Sequence, residues 1–174
     1  MYSLLFFAEP QALSARRIGN KTPGNEWRLA TFERVFSVQL PVYIYVLRRG
    51  IDQITSVRNQ AWGMSRSVAT LTHDYCSSVS QFEKMKSRFP DRVHLVQPDL
   101  AQTMQARTRL VEQLFAAIGE TADAGVEGYS RAWRKMNESG PETLTPLKQA
   151  EADLLAGHEQ FSEIQQRYGY GASA

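Results

Sequence analysis

The stretch PVYIYVLRRGIDQITS, residues 41–56, constrains the fold more than any other. Val42 to Leu47 is a continuous apolar run rich in β-branched and aromatic residues, and it reads as a buried strand of a parallel sheet. Arg48, Arg49 and Gly50 follow at once. Ile51, Ile54 and Val57 then recur at helical spacing, with Asp52 in the first turn, where a carboxylate complements the helix dipole. Strand, tight basic turn and helix put a helix N-terminus at the carboxyl end of a strand. Free N–H groups are expected to point outward there with arginine beside them, so the stretch reads as a phosphate-binding corner. Arg48 leaves the strand end, and Ser56 lies about a turn and a half into the helix. A guanidinium offers a fixed charge and a planar donor fork, and a hydroxyl adds a neutral hydrogen bond. The same pattern fits an arginine in an ordinary ion pair beside a small helix residue, and these residues alone leave both readings open.

The rest of the chain supplies the partners of this corner. Residues 2–8, YSLLFFA, fit a strand or the end of a buried helix, and Gly19 to Asn25 is a dense turn cluster containing Lys21. Trp27 to Val38 has helical periodicity. Beyond Ser56 the helix is expected to run on towards Trp62, with Gly63 interrupting it and Met64, Val68 and Leu71 resuming an apolar stripe. Ser77 to Arg88 reads as a further helix and Val93 to Val96 as a second buried strand. Asp99, with Gln102 three residues on, resembles a helix cap. Leu110 to Ile118 is helical and Gly119 a stop. A last helix is expected after Thr145 and Pro146, carrying Leu147, Ala150, Leu154, Phe161, Ile164 and Tyr168 on one face and ending at Gly169. Strand, helix, strand, helix and a helical tail indicate the α/β class, with helices flanking a parallel sheet.

At 174 residues the chain is long enough for one domain with a real core, and no repeat or low-complexity segment divides it. The net charge of +2 gives no strong global attraction to nucleic acid. It is unevenly spread: the first 95 residues hold 13 Lys/Arg and 7 Asp/Glu, the remainder 7 and 11, so the basic half contains the proposed anion site. Cys76 is the single cysteine, which rules out an internal disulfide and suits a cytoplasmic location. Leu4 to Ala8 is too short to span a bilayer, and His73, His94 and His158 lack partners at metal-ligand spacing, so neither a membrane span nor a metal is expected.

Three separated pieces together resemble the sulfotransferases that use 3′-phosphoadenylyl sulfate (PAPS). IGNKTPGN at 18–25 is similar to the Lys-Thr-Pro motif of glycan-type and bacterial members. YVLRRGIDQITS at 45–56 resembles the family's strand-turn-helix for the cofactor's 3′-phosphate: Arg48, Gly50, Asp52 and Ser56 match, while Arg49 replaces the usual Asp. VHLVQPDL at 93–100 resembles the strand before the Tyr-Glu-Asp-Leu element, with Asp99 and Leu100 matching and Gln97 and Pro98 substituted. Phe115 to Gly119, Trp133-Arg134 and Tyr168-Gly169-Tyr170 look like later features of the family, in the family's order.

The resemblance implies a P-loop NTPase-like parallel sheet and transfer of a sulfuryl group from PAPS to a hydroxyl or amine acceptor. Arg48 and Ser56 would bind the 3′-phosphate, and Trp133, Arg134 and Lys135 would belong to a late cofactor loop. Lys21 would sit near the bridging oxygen and offset charge growing on the leaving phosphate, a large catalytic effect when a cation is fixed in place. One departure matters. The family's main phosphate cradle follows its first strand, ahead of the Lys-Thr-Pro piece, and nothing before Lys21 offers it. The sulfotransferase-like domain is therefore expected to be incomplete at its N-terminus and inactive by itself. It would be a segment of a larger enzyme or a shortened homologue, a non-catalytic remnant that binds a nucleotide poorly or not at all. A helical module docking on a partner chain is the reading from another class.

Overall fold

The computed structural model describes residues 24–38, 40–121 and 145–171. Lys21, Trp133, Arg134 and Lys135, together with the apolar run at 2–8, lie outside the described residues. Backbone contacts group the chain into two compact units, residues 1–41 and 42–174. The described part of the first holds a 3₁₀ turn, Asn25–Arg28, leading into helix α1, Leu29–Val35. The helix expected over 27–38 is thus shorter and begins as a tighter coil.

The second unit carries the two expected strands. β1, Tyr43–Val46, pairs in parallel with β2, Val93–Val96, in the register Tyr43 to Val93 through Val46 to Val96. Between them run α2, Gly50–Arg58, and α3, Val68–Arg88. After β2 come a 3₁₀ turn, Pro98–Leu100, and α4, Met104–Ala117; α5, Gln149–Ala156, and α6, Glu159–Arg167, complete the described elements. The architecture is α/β, mostly helical, with a two-stranded parallel sheet among the described residues.

Helix α3 is the element on which the others assemble: α2, β2, α5 and α6 all pack against it. Its buried positions Val68, Leu71, Thr72, Tyr75, Cys76, Val79, Phe82 and Met85 recur at three- and four-residue spacing, one continuous stripe from Val68 to Met85. The sequence reading divides this helix at Ser77, but no breaker stands there, and the stripe carries straight through. Ser67 caps it, its Oγ accepting from the Thr70 N–H at 3.1 Å. α2 ends at Arg58, short of the extension towards Trp62. A compact turn replaces it, and at Gly63 an added Cβ would stand 1.9 Å from the Val57 carbonyl oxygen.

Two further expectations are corrected. The run at 42–47 reads as buried on both faces, yet β1 alternates. Tyr45 stacks on Phe82 at 4.5 Å between ring centroids, while Ile44 and Val46 on the opposite face are 44% and 54% exposed. β-Branched residues favour strands whichever face is covered, so an unbroken run does not report double burial. The single last helix is two, broken at Gly157–His158, where His158 Nδ1 accepts from the Phe161 N–H at 3.2 Å and restarts the coil as α6. The break moves the buried stripe onto Leu155, Phe161 and Ile164, leaving Leu154 exposed. Thr145 caps no helix; its backbone N–H donates to Asn59 Oδ1 at 2.9 Å, and its carbonyl accepts from Asn59 Nδ2 at 3.1 Å.

Candidate functional site

The corner between β1 and α2 is built from residues 47–50, and side chains from distant parts of the chain grip its backbone. The Tyr170 hydroxyl donates to the Leu47 carbonyl at 2.9 Å. The Tyr75 hydroxyl, from α3, donates to the Arg48 carbonyl at 3.0 Å. Gln165, from α6, is buried and uses both ends of its amide: Oε1 accepts from the Gly50 N–H and Nε2 donates to Tyr75 Oη, each at 2.9 Å. Asp99 Oδ2 accepts from the Arg49 N–H at 2.8 Å. These bonds satisfy polar groups that would be costly to bury unpaired.

This arrangement corrects the expectation of an open row of N–H donors. The Arg49 and Gly50 amides are engaged by Asp99 and Gln165, and Phe161 closes over Gly50. Of the amides that open α2, Arg49 to Asp52, those of Ile51 and Asp52 lack an acceptor among the described residues. Half of the first-turn donors are thus already taken.

Arg48 is the exposed donor. It leaves the carboxyl end of β1 with its side chain 46% exposed, and its Nε donates to Asp99 Oδ1 at 3.4 Å. Its Nη1 and Nη2 make no hydrogen bond among the described residues. Arg49 is committed elsewhere: Nε and Nη2 reach Asp52 Oδ2 and Oδ1 at 2.8 and 2.9 Å, and that bidentate pairing, with the Asp52 charge, pushes the Arg49 pKa up. Ser56 is partly buried on α2, one turn beyond Asp52. Its hydroxyl has no hydrogen-bond partner among the described residues, and no hydrogen bond joins it to Arg48.

Asp99 is not the helix cap its sequence context resembles. α4 begins later, with Thr103 Oγ1 accepting from the Ala106 N–H at 3.1 Å. Tyr75, Gln165 and Tyr170 carried no local signal of a role at the corner, because each reaches it only through long-range packing. Asp99 reaches the corner through the strand register, standing three residues past β2 as Arg49 stands three past β1.

Among the described residues no group of three or more His, Cys, Asp or Glu is placed to share a metal ion, and no helix is long and apolar enough to cross a membrane. No family model, no characterised protein and no solved structure matches the chain.

Proposed function

We propose that the corner is the 3′-phosphate grip of a PAPS-dependent sulfotransferase-type site, on a P-loop NTPase-like parallel sheet to which β1 and β2 belong. The observation that carries this reading is the position of Arg48. It stands at the carboxyl end of a parallel strand, half exposed, with the Nη1–Nη2 edge of its guanidinium uncommitted among the described residues. Crevices at the carboxyl ends of parallel strands are where open α/β sheets bind ligands, and a planar two-donor edge suits a phosphate. Ser56 supplies a second, neutral donor from α2. The ordered set of sequence motifs around Lys21, Arg48 to Ser56 and Asp99 supplies the chemical class, with a nucleotide co-substrate and a hydroxyl or amine acceptor.

In this proposal Arg48 contacts a phosphate that is charged before, during and after transfer, so it contributes binding about equally in ground and transition states. By the motif resemblance, Lys21 would offset charge that grows only as the sulfuryl group leaves, and its loss would fall on turnover. By the same resemblance, Trp133, Arg134 and Lys135 would belong to a late cofactor loop. The test is a pair of equilibrium titrations with 3′-phosphoadenosine 5′-phosphate and adenosine 5′-phosphate, which differ only in the phosphate that Arg48 would hold. The reading requires the first to bind at least about tenfold more tightly, the worth of one charge-assisted hydrogen bond. Equal affinities would overturn it.

A further inference from the structure

The two strands run parallel at a constant offset of fifty residues, from Tyr43 opposite Val93 to Val46 opposite Val96. Continued past the strand ends, that register sets position 99 beside position 49. Asp99 uses the placement twice: Oδ2 accepts from the Arg49 N–H at 2.8 Å, and Oδ1 accepts from Arg48 Nε at 3.4 Å. One carboxylate thus holds both the turn from which Arg48 departs and the inner nitrogen of its guanidinium.

We propose that Asp99 is a positioning residue of the nucleotide corner, holding Arg48 by Nε so that the Nη1–Nη2 edge faces the 3′-phosphate. The inference rests on the reading of Arg48 as the 3′-phosphate donor. A free arginine has several flexible torsions, and ordering them on binding costs affinity. A guanidinium engaged at Nε has its plane set, and the edge that remains is the one with two parallel donors. Arg49 cannot substitute, because its own fork is taken up by Asp52. The Asp99 carboxylate also repels an incoming phosphate. The two effects separate cleanly: repulsion acts whether or not Arg48 is present, whereas positioning acts only through Arg48.

The experiment measures affinities for 3′-phosphoadenosine 5′-phosphate and adenosine 5′-phosphate in the intact chain, in Asp99→Asn, in Arg48→Ala and in the double variant, with melting temperatures alongside. Asparagine keeps a carbonyl oxygen for the Arg49 N–H and removes the charge, and with it both the hold on Arg48 and the repulsion of the phosphate. The preference for the 3′-phosphorylated nucleotide should fall about tenfold in Asp99→Asn, whereas in the Arg48→Ala background, where only repulsion remains, Asp99→Asn should leave the preference unchanged or raise it. Asp99→Glu keeps the charge but moves it by one methylene, and its preference should fall as well. An unchanged or increased preference in Asp99→Asn, or the same fall in the Arg48→Ala background, overturns the positioning role and leaves the reading of Arg48 standing. No preference in the intact chain overturns both.

Discussion

At Gly50 the absence of a side chain is what lets the corner close. A Cβ there would stand 2.4 and 2.7 Å from Phe161 Cε2 and Cζ and 2.9 Å from Gln165 Nε2. A buried ring edge cannot swing aside as a long flexible chain can, so Gly50→Ala should destabilise the protein by about 1–3 kcal/mol through overpacking. Denaturant midpoints measure this, and an unchanged midpoint would mean that α6 does not press on the turn as described. The tyrosines in and near the core give a pH signature. Burial, before any other cause, raises the pKa of Tyr75 and of Tyr170; burial also pushes Tyr168 up to about 12, helped by its hydrogen bond to Glu83. Unfolded tyrosine titrates near 10.0, so between about 10 and about 12 the unfolded chain releases protons that the folded protein keeps. The stability linked to Tyr168 is therefore fully present below pH 10 and is lost as pH rises through that window. Tyr168→Phe should flatten the fall, and an equally steep fall in the variant would contradict the assignment. From the sequence, Gly50 reads as a turn residue and Arg48 as a strand-end donor. The close approach of Phe161 to Gly50 was not legible, because the two lie more than a hundred positions apart.

Among the elements, α6 joins the fold to the site. It buries Phe161 and Ile164 in the core that Leu47, Ile54, Tyr75 and Val79 share, and from the same stretch it sends Gln165 to the turn. Phe161→Ala should cost about 3–5 kcal/mol, the usual loss for a large buried aromatic. Chemical denaturation reads this, and a loss below about 1 kcal/mol would show that the site collapses around the cavity or that the ring is not in the core. The sequence marked both strands, α2, α4 and the apolar character of the C-terminal segment, because each has a local period. It misjudged the extent of α3, where polar His73 and Asp74 obscure a stripe that continues on the buried side. It also missed the break at Gly157–His158, since a helix that restarts after two residues shifts its phase and makes Leu154 look buried in place of Leu155.

At the scale of the whole molecule the corner is a product of topology. Residues 47–50 join the first strand to α2, Tyr75 comes from the central helix, Asp99 from the 3₁₀ turn after the second strand, and Gln165 and Tyr170 from the C-terminal segment. A ligand bound only to the assembled corner should therefore stabilise the whole unit. Saturation at one hundred times Kd adds about 2.7 kcal/mol, visible as a rise in melting temperature with nucleotide and a clearly smaller rise with nucleotide lacking the 3′-phosphate at the same concentration. The parallel pairing of the strands and the helix after the turn were legible in the sequence. The register that brings Asp99 to Arg49 was not, because pairing offset is set by packing across the sheet and leaves no local mark. The central claim is that Arg48 holds a nucleotide's 3′-phosphate, and calorimetric titration of the intact chain and of Arg48→Ala with 3′-phosphoadenosine 5′-phosphate tests it most directly. The account predicts saturable binding that weakens by about tenfold or more in the variant, with the fold intact by melting. Unaltered affinity in a folded Arg48→Ala protein would reduce residues 41–56 to a strand, a turn and a helix, and would contradict the claim.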